Sequence, residues 1–334
     1  MSVIMNEAPV NNGRYGRYNG RWIRIVYPFK MTTTAIANPT AQTQKIIIGC
    51  NNAVSLRIVG GHFVESDLAD TQTAVKNLTA GEHTLYVSNT ASTIYLYNPG
   101  AVTKLDFGNT DANSANKLQF RFDLSGLVDM TALTTLNLKG LPNVTGNIHN
   151  LAYLKNLVTL DIGDAEGLTG DLSDLSGLTN LVTLDLGSAT ALTGALAHLG
   201  GLTSLTKLNV GAATGIAGNL PSLSGLTALT ELDVGGSTVT GDVADLAAFP
   251  ALTKFGIHSA ALTWTLAQVA TLTNLTSLNL YGCTSLTGAL TALSGLTNLT
   301  SLNLASCTSL TGALSALSGL TNLTSLNLDR KNVV

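Results

Sequence analysis

The side chains best suited to catalysis or metal binding in this chain are five histidines and three cysteines. The histidines occupy positions 62, 83, 149, 198 and 258, and no two of them have the spacing of ligands to one metal ion. His149 and His198 belong to polar connecting stretches, where a surface histidine held by hydrogen bonds is expected. The spacing therefore predicts no metal centre.

Two of the cysteines could act as a pair, because Cys283 and Cys307 occur in closely similar sequences. One interpretation is a disulfide or a metal-binding pair. The other is two small buried thiols that fill a slot taken by alanine elsewhere, and we expect this second arrangement. Together with Cys50 the total is odd, which leaves at least one free thiol and fits a protein made in the reducing cytosol.

Sequence motifs that assemble catalytic sites do not occur in this chain. There is no G-x-S-x-G nucleophile elbow, no G-x-G-x-x-G turn, no P-loop and no H-E-x-x-H zinc motif. We therefore expect a protein that is not an enzyme, with no catalytic residue and no cofactor.

The elements that position the polar residues follow from an internal repeat. The pattern L-x-x-L-x-L recurs every 23 or 24 residues, beginning at Leu133, Leu157, Leu181, Leu205, Leu229, Leu252, Leu275, Leu299 and Leu323. Eleven residues after six of these starts comes L-T-G, V-T-G or I-A-G. The alternation in L-x-L places residues inside and outside in turn, as a β-strand requires.

These residues resemble the leucine-rich-repeat family, whose consensus reads LxxLxLxxN/CxL. The L-T-G element resembles the 24-residue subclass, and LTNLTSLNL is similar to the repeats of bacterial internalin-type adhesins. The resemblance implies an α/β-type repeat solenoid with one parallel strand per repeat. A single repeat would bury about seven leucines, worth ~14 kcal/mol, against at least ~24 kcal/mol to order it. Stacking between repeats must therefore supply the remainder.

The first thirty residues differ from the rest in charge and composition. NEAPVNNGRYGRYNGRWIRI resembles an element of the form EAP-x-(N/D)-x-x-x-YGR-x-NG-x-W, common in bacteriophage tail and fibre proteins. The resemblance implies a docking segment, in which Tyr15, Arg17 and Trp22 would contact a partner. The alternative is a solvated tag or the first strand of the following region.

The chain is accordingly divided into three parts. Residues 1–30 form the docking segment, residues 31–115 a β-rich lead-in that covers the first repeat, and residues 116–334 the solenoid, with nine regular repeats from Leu133. Within the lead-in, residues 45–59, 83–97 and 102–107 are expected to be strands, and residues 31–44 a linker. The segments at 53–58 and 102–107 fit the repeat pattern loosely, which indicates degenerate repeats.

The outward positions of the repeat strands form three columns. The first column is Thr135, Thr159, Thr183, Lys207, Glu231, Lys254, Ser277, Ser301 and Ser325. The middle column is Asn137, Asp161, Asp185, Asn209, Asp233, Gly256, Asn279, Asn303 and Asn327. The third column is Lys139, Gly163, Gly187, Gly211, Gly235, His258, Tyr281, Ala305 and Asp329. Asp161 and Asp185 should lie ~5 Å apart, and they would bind a cation, hold a raised pKa or join a ladder of Asn and Asp side chains.

Large polar groups cluster at one place in these columns. The cluster is Lys207, Glu231, Lys254, His258 and Tyr281, and it is the candidate ligand-binding patch. The adjacent repeat is irregular, with Pro250, Phe255 in place of a strand leucine and Trp264 in place of a glycine. Binding residues are often those that a repeat does not predict, although drift in a tolerant repeat explains the irregularity equally well.

Charge and hydropathy exclude some functions. The net charge is −3, and the first thirty residues contain five cations against one carboxylate, so the rest of the chain is acidic and a poor match for nucleic acid. No apolar run is long enough to insert in a membrane, and the N-terminus lacks the basic start and apolar core of a signal peptide.

We therefore expect a non-enzymatic bacteriophage virion protein, a fibre, tail or decoration component that contacts a protein or surface glycan of a host cell. Its first thirty residues would bind other virion proteins. The alternative is a leucine-rich-repeat adhesin on a bacterial cell surface, and a passive spacer is a third possibility. The ninth strand is followed only by DRKNVV, which predicts that another subunit covers this edge in a homo-oligomer.

Overall fold

The computed structural model describes residues 15–18, 21–24, 29–33, 43–59, 63–64, 75–88, 92–107, 120–258 and 264–328. Two sheets run along the described solenoid, and short 3-10 helices connect the end of one repeat to the next. The leucine side chains of both sheets and of the 3-10 helices share one continuous core. The expected solenoid is therefore confirmed.

The longer sheet contains the nine predicted repeat strands. They are Thr135–Asn137, Thr159–Asp161, Thr183–Asp185, Lys207–Asn209, Glu231–Asp233, Lys254–Gly256, Ser277–Asn279, Ser301–Asn303 and Ser325–Asn327, and each is parallel to the next. Pairing is in register, so that Leu136 lies beside Leu160 and Leu184. The residues of each column are therefore neighbours on successive strands. We call the surface of the sheet that carries the three columns the column face.

The second sheet is formed by the L-T-G elements. Its repeat strands are Val144–Asn147, Leu168–Asp171, Leu192–Ala195, Ile216–Asn219 and Thr238–Thr240, and a separate pair, Gly288–Ala289 with Leu310–Thr311, continues the pattern. The 3-10 helices that follow are Ile148–Tyr153, Leu172–Leu175, Leu196–Leu199, Leu220–Leu223, Val243–Ala248, Leu290–Gly295 and Leu314–Leu317. Asn147, Asp171, Asn219 and Asp242 cap four of these helices by accepting a backbone N–H.

The lead-in region joins both sheets at the N-terminal side of the solenoid. The strand Val102–Asp106 is parallel to Thr135–Asn137 and aligns Leu105 with Leu136, so it is a degenerate first repeat strand, as expected. Thr43–Cys50, Gly81–Ser88 and Phe63–Val64 extend the longer sheet with antiparallel strands. The strand Val54–Val59, the other candidate repeat, lies instead in the second sheet, antiparallel to Ser92–Tyr97 and Val75–Leu78.

The prediction of a linker over residues 31–44 is wrong at both ends of that range, because the strands Phe29–Thr33 and Thr43–Cys50 extend into it. The strand Phe29–Thr33 pairs with Ser92–Tyr97 and with Phe120–Asp123, and Phe29 and Met31 are buried in the core. The ring of Phe29 meets Phe122 edge-on at 5.1 Å, which explains why this polar, threonine-rich stretch is ordered. This strand crosses the expected boundary at residue 30, and the three-part division stays a prediction.

Hydroxyl and amide side chains also connect successive repeats. The Thr230 hydroxyl donates to the Thr206 carbonyl at 3.0 Å, and the hydroxyls of Thr253, Thr276, Thr300 and Thr324 make the same bond one repeat back. Near the start of five repeats, Asn156, Asn180, Asn274, Asn298 and Asn322 donate from Nδ2 to a carbonyl of the preceding repeat. The threonine hydroxyls bond to carbonyls that already accept backbone N–H groups of the next repeat, whereas the asparagine amides bond to carbonyls for which the described residues provide no backbone N–H.

One repeat departs from this scheme. After the strand Lys254–Gly256, residues 259–263 lie outside the described residues, and the chain resumes with Trp264 and the α-helix Leu266–Val269. Trp264 is only 3% exposed and stacks on Phe255 at 5.6 Å, while its Nε1 donates to the Gly241 carbonyl at 3.1 Å. The irregular Phe255 and Trp264 are therefore a core pair. Within the described ranges, no helix combines the length and apolar character needed to cross a bilayer.

Candidate functional site

A shallow depression of about 380 Å³ lies on the column face, across the five strands from Thr183–Asp185 to Ser277–Asn279. Lys207, Glu231 and Lys254 line it from the first column, and Asp185, Asn209, Asp233, Gly256 and Asn279 line it from the middle column. A smaller depression of about 160 Å³ adjoins it, and His258 lines that one. The sequence therefore predicted the strands that carry the depression, and three of its lining residues.

Lys207, Glu231 and Lys254 form one ion-paired group. Glu231 Oε1 lies 3.0 Å from Lys207 Nζ and 2.8 Å from Lys254 Nζ, because register places these side chains on three successive strands. Burial acts to raise the pKa of Glu231, but hydrogen bonds and charges from Lys254 and Lys207 hold that pKa below its ordinary value. The three side chains remain partly exposed, so the pairing positions them and adds little stability.

The middle column closes the turn at the end of each strand. The side-chain oxygen of Asp185 accepts the backbone N–H of Gly187, two residues later, at 2.9 Å. The same bond is made by Asn137, Asp161, Asn209, Asp233, Asn279 and Asn303, over 2.8–3.1 Å. This Asx turn requires Asn or Asp at the position, so the column has a structural origin.

The backbone is left-handed one residue beyond the third column. Asp164, Ser188, Ala212 and Ser306 have φ between 56° and 61° there, and Gly236 has φ 67° at the equivalent position. Residues other than glycine rarely adopt this conformation. Each of these turns therefore carries local strain that the rest of the repeat offsets.

Asp161 and Asp185 do lie on neighbouring strands, and Lys139 reaches both. Burial and, secondarily, the charge of Asp185 raise the pKa of Asp161 from 3.8 to about 6, against the opposing charge of Lys139. Asp185 also accepts a hydrogen bond from Asn209 Nδ2 at 2.9 Å. The arrangement therefore combines one side-chain bond along the column, between Asn209 and Asp185, with a raised pKa at Asp161.

His258 occupies an unusual position in the third column. Its ring lies over Gly235, where a Cβ would overlap the ring atoms. Its Nδ1 is buried, has no hydrogen-bond partner and lies 3.9 Å from Asp233 Oδ1. Tyr281, on the next strand, is 47% exposed and lines neither depression.

The remaining chemically active side chains have local partners. His149 Nδ1 lies 2.8 Å from Asp174 Oδ1, and His198 Nδ1 lies 3.6 Å from Asp171 Oδ1, on the connecting 3-10 helices. The Cys283 and Cys307 thiols donate to the carbonyls of Ile257 and Leu280, respectively. Among the described residues, no three His, Cys, Asp or Glu side chains are grouped to hold a metal ion.

The docking residues belong to a short hairpin. The strands Tyr15–Tyr18 and Arg21–Arg24 are antiparallel, and Arg17 is opposite Trp22. These two strands form a sheet of their own, separate from the sheets that contain the lead-in strands. The binding role of the segment stays a prediction.

No family model matches the sequence, and no curated protein is similar to it. Among solved structures, PEPR1–AtPEP1 is 24% identical with a TM-score of 0.49, over 68% of this chain and 35% of that one. Internalin C2 from Listeria monocytogenes is 22% identical with a TM-score of 0.40, over 69% of this chain and 82% of that one. The functional domain of InlJ from the same organism is 18% identical with a TM-score of 0.41, over 72% and 66%.

The chain spans less than half the length of the first receptor structures that it matches, from 28% to 43%. These likenesses concern the fold. The in-register parallel strands and the leucine core define that fold as a leucine-rich-repeat solenoid.

Proposed function

We propose that this protein is a non-enzymatic binding protein, of the receptor or adhesin kind, and that it holds a protein ligand on the column face. The observation that supports this most is the depression around Glu231, which combines charged, amide and hydroxyl groups on five rigid strands. A site built on a sheet keeps its side chains in fixed positions and lowers the entropy lost on binding.

The composition of the patch favours a protein over a nucleic acid. Lys207 and Lys254 are both paired with Glu231, so they present little net positive charge to phosphates. Tyr281 offers an exposed aromatic ring just after the strand Ser277–Asn279, and tyrosine is enriched where protein interfaces concentrate their binding energy. A surface glycan of a host cell is the competing ligand class.

The test compares two triple variants in binding to intact host cells and to printed protein and glycan arrays. Lys254→Ala, His258→Ala and Tyr281→Ala together should reduce binding at least tenfold without changing the unfolding midpoint by more than a few degrees. The matched control replaces His149, Tyr153 and His198, which are exposed on the connecting helices, with alanine. Equal binding by both variants would place the ligand elsewhere.

A second candidate is a bacteriophage virion protein that contacts its host through the solenoid, located on the virion rather than on a bacterial cell surface. The resemblance of residues 6–25 to a tail and fibre element favours it. In this case Tyr15, Arg17 and Trp22 would bind another virion protein, and copies of the chain would self-associate.

The test for this candidate is truncation. Because Phe29 and Met31 are buried, the deletion should stop at residue 28. The shortened protein should remain folded, bind host cells and fail to join particles. Normal incorporation into particles would contradict the docking role, and sedimentation of the full chain decides its self-association.

A further inference from the structure

The middle column of the column face is interrupted at one strand. Gly256 lies between Asp233 and Asn279, and its strand pairs in register with the strand on each side. Gly256 therefore lacks only a polar side chain, since every other repeat strand has Asn or Asp at this position. The strands that carry Asp233 and Asn279 are therefore two spacings apart, about 9.6 Å. The gap is the part of this interval that the Asp233 carboxylate, which leans over Gly256, leaves open toward the 380 Å³ depression.

One side of this gap offers a hydrogen-bond acceptor. Asp233 Oδ1 accepts the Gly235 N–H at 2.8 Å, which leaves Oδ2 to lean toward the gap. Oδ2 lies 2.6 Å from the position that a Cβ on Gly256 would take. Among the described residues, His258 Nδ1 lies 3.9 Å from Asp233 Oδ1, and no lysine or arginine pairs with this carboxylate.

The other side offers a donor. Asn279 accepts the Tyr281 N–H at 3.1 Å, and a backbone N–H only donates, so the accepting atom is Oδ1. The amide nitrogen Nδ2 is therefore the remaining group, and it has no hydrogen-bond partner among the described residues. Asn209 Nδ2, by comparison, donates to Asp185 one strand back, at 2.9 Å. Asn279 has no such acceptor one strand back, because that residue is Gly256; among the described residues Asn303 Nδ2 also makes no hydrogen bond, although Asn279 lies one strand back from it.

We propose that the gap above Gly256 is a subsite for a primary carboxamide, the side chain of an asparagine or glutamine on a protein ligand. Its NH2 group donates to Asp233 and its carbonyl oxygen accepts from Asn279 Nδ2, so the ligand completes the ladder. This inference rests on the proposed binding function of the column face and names the group that the ligand presents.

The donor and acceptor on opposite sides of the gap distinguish a carboxamide from other groups. A guanidinium or ammonium would satisfy Asp233 but would bring no acceptor to Asn279. A carboxylate would accept from Asn279 but would be repelled by Asp233. A carboxamide supplies both functions in one planar group, as Asn209 does when it accepts from the Gly211 N–H and donates to Asp185.

The direct test uses N-acetyl-asparagine N-methylamide as the probe, titrated into the full chain while backbone amide shifts are followed by NMR. We expect saturable shifts at Gly256, Ser277 and Asn279 with millimolar affinity. The corresponding aspartate and arginine derivatives and N-acetylglucosamine should bind at least tenfold more weakly. Tighter binding of the arginine derivative would assign the gap to a cation, and tighter binding of the sugar would assign it to a glycan; either result overturns the proposal.

Filling the gap from within the chain provides the sharpest variant. G256N adds the side chain found at the equivalent position of other repeats. Its Cβ would lie within 3.0 Å of the Asp233 carboxylate atoms, so this carboxylate must shift. The variant should reduce probe affinity at least tenfold, and circular dichroism checks that it folds. D233N, which keeps the Asx turn but loses the charged acceptor, should weaken the probe as well. N303D, in the same column but not beside the gap, is the control and should leave probe affinity unchanged.

Two outcomes separate this proposal from the proposed function. Full binding of the protein ligand by G256N, together with loss in the Lys254, His258 and Tyr281 triple variant, refutes the subsite alone. Normal ligand binding by the triple variant, together with a probe that still binds at Gly256, refutes the wider patch and keeps the subsite. Unchanged probe shifts in both G256N and D233N overturn the subsite.

Discussion

Lys139 Nζ lies 3.1 Å from Asp185 Oδ2, although the two residues are 46 positions apart and the strand Thr159–Asp161 lies between their strands. Gly163, in the third column, lies against both carboxylates, since a Cβ there would be 3.0 Å from Asp185 Oδ1 and 3.4 Å from Asp161 Oδ1. Between Lys139 and Asp185 lies Asp161, whose carboxylate is close to both charges. This group of one cation and two carboxylates leaves a net negative charge in a half-buried location.

Replacing Asp161 with asparagine should therefore stabilise the protein at neutral pH. The pKa of Asp161 is raised in the fold from 3.8 to about 6, so the stability linked to its protonated form is present below pH 4 and lost as the pH rises through 6. Asp161→Asn should add about 1–2 kcal/mol at pH 7 after solvent screening and little at pH 4. Urea unfolding at both pH values measures this. Asp185→Asn, which removes the partner of Lys139, should give no such gain, and equal gains at both pH values would contradict the assignment.

An alanine-to-glycine change should also stabilise the solenoid. Ala212 has φ 56°, a left-handed conformation that costs a residue with a Cβ roughly 1–2 kcal/mol. Ala212→Gly removes that strain. Because glycine loses more backbone entropy on folding, part of this gain is cancelled, and the net stabilisation should be about 0.5–1 kcal/mol. Ala213→Gly, at a buried neighbour, should destabilise instead. Thermal unfolding of the pair tests the prediction, which fails if both variants lose stability.

The core leucines should differ sharply in importance along the array. Leu208 is 2% exposed in the centre, whereas Leu326, at the same position of the ninth repeat, is 43% exposed. Leu208→Asp buries an unpaired carboxylate and should cost more than about 4 kcal/mol, while Leu326→Asp should cost less than about 1 kcal/mol. Denaturant unfolding monitored by circular dichroism compares them. Similar midpoints for the two variants would mean that the inward face is wrongly assigned.

Gly235 should be coupled to His258. A Cβ at residue 235 overlaps the His258 ring, so Gly235→Ala should cost about 1–3 kcal/mol. The loss should be largely relieved in the His258→Ala background, as a double-mutant cycle would show. Gly211→Ala, whose Cβ meets Asn209 and Asp233 at 3.1 Å, should not be relieved by His258→Ala. Strict additivity of Gly235→Ala and His258→Ala would contradict the predicted packing.

The repeat strands could be predicted from sequence because their signal is local. Each L-x-x-L-x-L contains both the buried leucines and the outward columns, and the pairing register follows from the repeat length. The strand Phe29–Thr33 could not be predicted in this way. Its partners, Ser92–Tyr97 and Phe120–Asp123, are far along the chain, and its burial depends on Phe122.

The only part of the candidate site that could be predicted is the part in which side chains of complementary charge occupy neighbouring positions of one column. The ion-paired group at Glu231 follows from opposite charges on adjacent strands. The packing of Trp264 on Phe255 does not, since an irregular residue in a repeat fits a ligand site and a core substitution equally well. The gap at Gly256 is visible in the sequence as one glycine in a polar column, but its donor and acceptor become evident only from the hydrogen bonds of Asp233 and Asn279.

The Asx turn has an evolutionary consequence, because its two partners are only two residues apart and belong to the same repeat. A repeat that is duplicated within the gene therefore contains both partners of its own Asx turn. To join the array it needs only strands that pair with those of the neighbouring repeats. Residues 275–298 and 299–322 are consistent with this, since they differ only at positions 281/305, 282/306 and 291/315. Recombination can thus lengthen or shorten the array one strand, about 4.8 Å, at a time, and the length of the column face becomes a heritable, stepwise trait.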